Sequence, residues 1–151
     1  MCVIFREGTE RYALALDGVD EVLDPKPISF VPQAPAPCLG VVVHQGLILP
    51  VFDVGVLLSE VEGEGSGAPE PVGTGALTRL IVLSYADFRL ALQVDRVERI
   101  APLTGAPQPV EAGSRGTAER YLDAVFVEPD GVVTRVNTSA LVEGIDRLFE
   151  R

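Results

Sequence analysis

A gapless internal repeat limits this chain to few folds. Ala13-Leu14-Ala15-Leu16-Asp17-Gly18-Val19-Asp20-Glu21-Val22 returns 78 positions later as Ala91-Leu92-Gln93-Val94-Asp95-Arg96-Val97-Glu98-Arg99-Ile100. The register holds upstream, where Val3-Ile4-Phe5 answers Ile81-Val82-Leu83 and Arg11 answers Arg89. A second echo, offset by 84, sets Leu49-Pro50-Val51-Phe52-Asp53 against Val133-Thr134-Arg135-Val136-Asn137. Two copies of one supersecondary unit in 151 residues predict a duplicated fold. The seam between the copies is then a natural place for a binding site.

Within each copy the pattern is that of short strands. Val3 to Phe5 and Tyr12 to Leu16 are apolar runs joined by the polar turn Glu7-Gly8-Thr9-Glu10. After Asp17, a predicted N-cap, Val19, Val22 and Leu23 fit one helical turn that Pro25 and Pro27 stop. Ile28 to Val31 alternates as a half-buried strand. Pro32, Pro35 and Pro37 keep the next stretch extended. Leu39 to Val43 and Leu47 to Phe52 predict a hairpin around His44-Gln45-Gly46, with positive φ at Gly46 and Asp53 capping a short segment after it.

Residues 59–77 are rich in Gly and Glu and read as a flexible acidic linker. The strand order then recurs: Leu80 to Leu83, a turn at 85–87, Phe88 to Val94, a Pro/Gly-rich loop over 102–117, and a hairpin about Asp130-Gly131. Asn137 or Thr138 caps a last helix over 139–150 whose stripe of Leu141, Ile145, Leu148 and Phe149 packs it on a barrel. Roughly ten short strands at this spacing predict an all-β protein of two similar five-stranded SH3-like barrels, with the amphipathic helix on one of them. Subdomain one covers about 1–58 and subdomain two about 78–151.

Charge and composition narrow the function. Twelve basic residues against 22 acidic give a net charge of −10, a field that repels nucleic acid and anionic lipid surfaces. No apolar run is long enough for a membrane span and no leader pattern is present, so a cytoplasmic protein is expected. Cys2 and Cys38, the two cysteines, read as free thiols. His44 is the single histidine, which excludes a multi-histidine metal centre, and it reads as a surface or interface residue. The glycine-rich stretch 63–75 lacks the Lys-Ser/Thr ending of a phosphate loop. The acid pairs Asp20 with Glu21 and Asp95 with Glu98 read as caps and solvated faces. No catalysis, cofactor or metal is expected. An enzymatic or small-ligand-binding barrel using the seam is the weakest alternative, since it would need a polar pocket with perturbed acids.

Tyr12-Ala13-Leu14, Val19-Asp20-Glu21-Val22, the proline-rich stretch, Gly40-Val41-Val42 and Gly46-Leu47-Ile48-Leu49-Pro50-Val51-Phe52-Asp53 follow one another in a telling order. That order resembles the CheW-like coupling domain of bacterial chemotaxis. Leu80 to Ile100 resembles the family's second barrel, and Leu122 to Leu141 its last hairpin and helix. The resemblance implies a non-catalytic adaptor that links the cytoplasmic tip of a methyl-accepting chemoreceptor to the regulatory domain of a CheA-type histidine kinase. It also implies contacts with other CheW-like domains. Carried over to this sequence, Val19 and Glu21 are partner contacts, and Gly40 and Gly46 shape the interface hairpin, with His44 and Gln45 at its tip. Two residues depart from the family pattern. Gln45 stands where an Arg is usual, losing charge and the five-donor fork, and Ala124 stands where Gly is common. The alternative reading is therefore a module of this family serving another partner in a motility or polarity complex.

Overall fold

The computed structural model describes residues 1–58, 77–85, 88–111 and 116–148, with no account of the side chains of 116 and 117. The apolar runs form strands as expected. Strand β1 (Cys2–Glu7) pairs antiparallel with β2 (Glu10–Ala15) across the predicted turn, and the rings of Phe5 and Tyr12 stack at 5.7 Å. Then come β3 (Val19–Leu23), β4 (Cys38–His44), β5 (Leu47–Asp53) and the one-turn helix α1 (Val54–Leu57). The second copy supplies β6 (Arg79–Tyr85), β7 (Phe88–Val94), β8 (Arg96–Ala101), the two-residue β9 (Pro107–Gln108), β10 (Leu122–Glu128) and β11 (Gly131–Val136). Helix α2 (Thr138–Leu148) closes the described chain.

The strands assemble into two sheets, one of six strands ordered β8-β1-β2-β11-β10-β9 and one of five ordered β3-β6-β7-β5-β4. The sixth strand is β9, too short to show in the sequence pattern. Each sheet draws on both halves of the chain. The β1–β2 hairpin sits among β8, β10 and β11, while β6–β7 sits among β3, β4 and β5. Two parallel pairings seal the exchange, Thr134 and Arg135 on Tyr12 and Ala13, and Val51, Phe52 and Asp53 on Ala91, Leu92 and Gln93. The boundaries near 58 and 78 therefore divide the repeat along the sequence, but they do not divide the sheets. The physical reason lies in the first hairpin of each copy. Val3, Ile4 and Phe5, like Leu80 to Leu83, are buried on both faces, so these strands belong in sheet centres and need neighbours on both edges.

Three cores result. The largest takes Val3, Phe5, Leu14, Phe52, Ile81, Leu83 and Leu92 from both sheets, together with Leu141, Val142 and Ile145 of α2. A smaller core lies within each sheet, Val42, Leu49, Val51, Leu80, Val82 and Ala91 in the five-stranded one and Cys2, Ile4, Ala13 and Val133 in the other. Each fully buried Leu, Ile or Phe contributes about 1.5–3 kcal/mol of burial. Both cysteines are free thiols.

Several local expectations need correction. Residues 17–23 do not make a helical turn. Leu16–Gly18 is a 3₁₀ turn without a side-chain cap, and Val19–Leu23 is strand β3, paired to β6 from Leu83 to Leu80. An isolated turn of helix is costly to nucleate, and the ladder offered by β6 wins. The repeat of this segment at 96–101 is likewise a strand, β8, paired with β1. Ile28 to Val31 contributes a single bridge, Ser29 to Val41, and Phe30 is 80% exposed. Asp53 does cap α1, its Oδ1 accepting the Gly55 N–H at 2.8 Å, and Asn137 caps α2 through the Ala140 N–H at 3.1 Å. Leu141 and Ile145 of the predicted helical stripe are buried, while Leu148 is at the surface. Phe149, the linker over 59–76, the tip of the turn at 86–87 and loop residues 112–115 lie outside the described residues.

Candidate partner-binding site

The hairpin of β4 and β5 is the most exposed apolar feature of the five-stranded sheet. Its two-residue turn holds Gln45 at φ 51° and Gly46 at φ 78°, the pair of positive angles that matches the twist of the flanking strands. Gly46 was foreseen; a glutamine in the left-handed region was not. Behind the tip, a register shift between Cys38 and Gly40 lets the backbone of Ser29 bridge to Val41. Gly40 sits there at φ 139°, and a Cβ on it would lie 2.2 Å from the Ser29 carbonyl oxygen, so only glycine fits.

Strands β3 and β4 are the two edges of the five-stranded sheet, and polar side chains close the gap between them. His44 Nε2 on β4 lies 2.8 Å from Glu21 Oε2 on β3. Lys26 Nζ reaches His44 Nδ1 at 3.1 Å and the Val43 carbonyl at 3.4 Å. A lysine ammonium can only donate, so Nδ1 is the acceptor and Nε2–H donates to Glu21. The structure thus brings Glu21, His44, Gln45 and Gly46 to one end of one sheet, with Gly40 behind them. Val19 is separate: half-buried, opposite Leu83, it packs on the largest core.

The sequence reading did not single out the apolar pairs that flank the hairpin tips. Val43 and Ile48 face each other across β4 and β5 and are 64% and 69% exposed. Val127 and Val132 face each other across β10 and β11 and are 56% and 50% exposed. The second pair lies 84 positions after the first, so each sheet presents the same outward patch. The signal was available in runs such as Val41-Val42-Val43, apolar on both faces of a strand where one face must be outward. Lys26 was missed because it stands between two prolines read only as the stop of a helical turn.

Two corners lie between the sheets, and the repeat relates them. One is closed by carboxylates: Glu7 Oε1 accepts the Asp95 N–H at 2.8 Å, and Asp95 Oδ2 accepts the Gly8 N–H at 2.8 Å. Burial, then the neighbouring Asp95 carboxylate, raises the Glu7 pKa to about 8. Burial also raises Asp53, against the Gly55 and Val56 N–H groups that lower it. At the repeat positions of Glu7, Asp53 and Asp95 stand Tyr85, Asn137 and Asp17. These line an open groove of about 1000 Å³ with Met1, Leu16 and the Asp123–Arg135 ion pair. Among the described residues no group of three or more His, Cys, Asp or Glu is placed to hold a metal ion, and no helix is long and apolar enough to cross a membrane.

Exchanged β-sheets, matched exposed apolar hairpins and an open groove between the sheets are what this site presents. The family model of the CheW-like domain matches residues 1–146, and the chain belongs to that family. The fold is also that of the scaffolding protein TtCheW from Thermoanaerobacter tengcongensis, whose crystal structure superposes with a TM-score of 0.73 at 21% identity, over 89% of this chain and 82% of that one. No curated protein sequence gives a significant match.

Proposed function

We propose that the chain is a non-catalytic cytoplasmic scaffold in bacterial chemotaxis or motility signalling, coupling a chemoreceptor tip to the regulatory domain of a CheA-type histidine kinase. The observation that carries this reading is the matched pair of outward apolar patches, Val43–Ile48 on one sheet and Val127–Val132 on the other. A scaffold needs two faces that work at once, and a duplicated fold supplies them on one body. Each patch desolvates at little entropic cost because both strands are already fixed. Glu21 and Gln45, beside the first patch, supply polar contacts that set orientation. Other CheW-like domains can use the same faces.

The test is titration of the purified chain against the regulatory domain of a CheA-type kinase from the same cell, in parallel with Gln45→Arg and Glu21→Lys. Micromolar binding by the native chain, weakened by Glu21→Lys, supports coupling through this surface. Binding restored only by Gln45→Arg points to a module that has moved to another partner. Absence of binding by every form overturns the kinase reading.

A further inference from the structure

We propose that the Lys26–His44–Glu21 chain is a proton-operated latch that holds the loop between β3 and β4 against the hairpin when His44 is neutral and releases it when His44 is protonated. The latch belongs to the free chain and stands whatever partner docks. His44 and Lys26 are the single histidine and the single lysine of the sequence, and they meet at 3.1 Å. This contact requires a lone pair on Nδ1. A second proton on the ring occupies that lone pair and places imidazolium against ammonium, so the Nδ1 contact breaks and Lys26 keeps, of its two contacts here, the longer one to the Val43 carbonyl at 3.4 Å. The partner on the other side responds in the opposite sense: imidazolium strengthens the 2.8 Å contact to Glu21. One proton therefore tightens the bridge between the edge strands and loosens the loop.

Among the described residues, the charged groups around His44 are few. Glu21 faces it from β3 and Lys26 from the loop, while Asp24 of the same loop pairs with Arg79 at 3.5 Å. Across the hairpin it is opposite Leu47. With its side chain 13% exposed, His44 can exchange protons with solvent. The loop it controls is tied to β4 by two backbone bonds, Ser29 N–H to Val41 O at 2.8 Å and Val41 N–H to Ser29 O at 2.9 Å, and it carries the exposed Phe30.

The second half of the chain contains the control. The position 84 residues after His44 is Glu128, and the position 78 residues after Lys26 is Thr104. The same loop-to-hairpin clasp is made there, Glu128 accepting the Thr104 N–H at 2.9 Å and the Gly105 N–H at 2.7 Å. The Thr104 N–H, chief among several hydrogen bonds, holds the Glu128 carboxyl below the usual range. That clasp does not change where imidazoles titrate.

The experiment is amide hydrogen exchange on the full chain at about pH 7.5 and about pH 5.5, corrected for intrinsic rates, with the imidazole ¹⁵N spectrum recorded alongside. The expected result is an Nε2–H tautomer at the higher pH. At the lower pH the Ser29 amide loses about five-fold in protection, the scale of one hydrogen bond, while Thr104 and Gly105 keep theirs. His44→Gln keeps an acceptor and a donor but cannot take the proton, so its Ser29 protection should be the same at both values. Lys26→Met should be loose at both. Equal Ser29 protection in the native chain at the two pH values, or the same acid loosening in His44→Gln, overturns the latch.

Discussion

Arg11 Nε stands 2.7 Å from Glu98 Oε1, an ion contact that ties the first half of the chain to the second. Its counterpart is Arg89 with Asp20 at 3.4 Å. Each partner is displaced by 78 positions, 11 to 89 and 20 to 98, so one interaction is written twice and crosses between the halves both times. Ser84 adds a hydroxyl donated to Asp20. The two copies differ in burial, with Arg11 and Glu98 side chains 14% and 12% exposed against 51% and 32% for Arg89 and Asp20.

That difference sets the expected cost of breaking each pair. Arg11→Met leaves a mostly buried Glu98 facing, among the described residues, Arg6 at 3.3 Å, removes the Arg11 contact to Asp130 as well, and should lower the unfolding free energy by about 2–3 kcal/mol. Arg89→Met should cost less than about 1 kcal/mol. Urea unfolding of the two variants measures both; equal losses would mean that burial does not govern these pairs.

Gly40 and Ala124 occupy the same repeat position, 84 residues apart, yet only Gly40 has positive φ. Gly40→Ala should destabilise by more than about 2 kcal/mol, because the Ser29 carbonyl cannot retreat without losing its bridge to β4. Ala124→Gly should cost about 1 kcal/mol or less. Thermal melts of both variants check the asymmetry.

Ile48→Glu and Val132→Glu place a charge on outward patches, at positions 69% and 50% exposed. Each should leave the melting temperature within a few degrees of native and weaken binding of a partner at its own sheet about ten-fold or more. If the two patches serve different partners, each variant impairs one titration and spares the other.

Glu7 gives a pH dependence with a definite sign. Its folded pKa, about 8, lies above the ordinary 4.5, so the folded chain holds this proton while the unfolded chain has released it. The stabilising contribution is complete below about 4.5 and is lost as pH rises toward 8. Asp53, shifted the same way, adds to the slope. Glu7→Gln, an isostere of the protonated acid, should raise the melting temperature by a few degrees near pH 8.5 and leave it unchanged near pH 4.5. A variant melting curve with the native pH slope would remove Glu7 as its source.

Much of this fold was legible. The repeat, the hairpin turns at Gly46 and Gly131 and the caps Asp53 and Asn137 all follow from local pattern. The exchange of hairpins was not, because a repeat states that a unit occurs twice and is silent about which copy each edge pairs with. Val19 to Val22 shows the related failure: its spacing suits one turn of helix, and only the ladder offered by β6 decides for strand. At the candidate site, Glu21, His44 and Gln45 were reached by resemblance, and the structure places them together. The Lys26 contact was invisible, since nothing in the spacing of 26, 44 and 21 marks them as neighbours. The apolar pairs were hidden for a different reason: a valine bound for the core and one bound for solvent look alike in a strand that has both.

The exchanged hairpins also impose an order on synthesis. The five-stranded sheet has its last strand once β7 has emerged at Val94, but the six-stranded sheet waits for β11 at Val136. The first hairpin, made before the other strands of both sheets and carrying Val3, Ile4 and Phe5 that the fold buries on both faces, has no lateral neighbour until β8 appears. A growing chain therefore carries its earliest strands as its longest-exposed sticky surface, which makes residues 2–15 the segment where chaperone binding and misassembly during translation should concentrate.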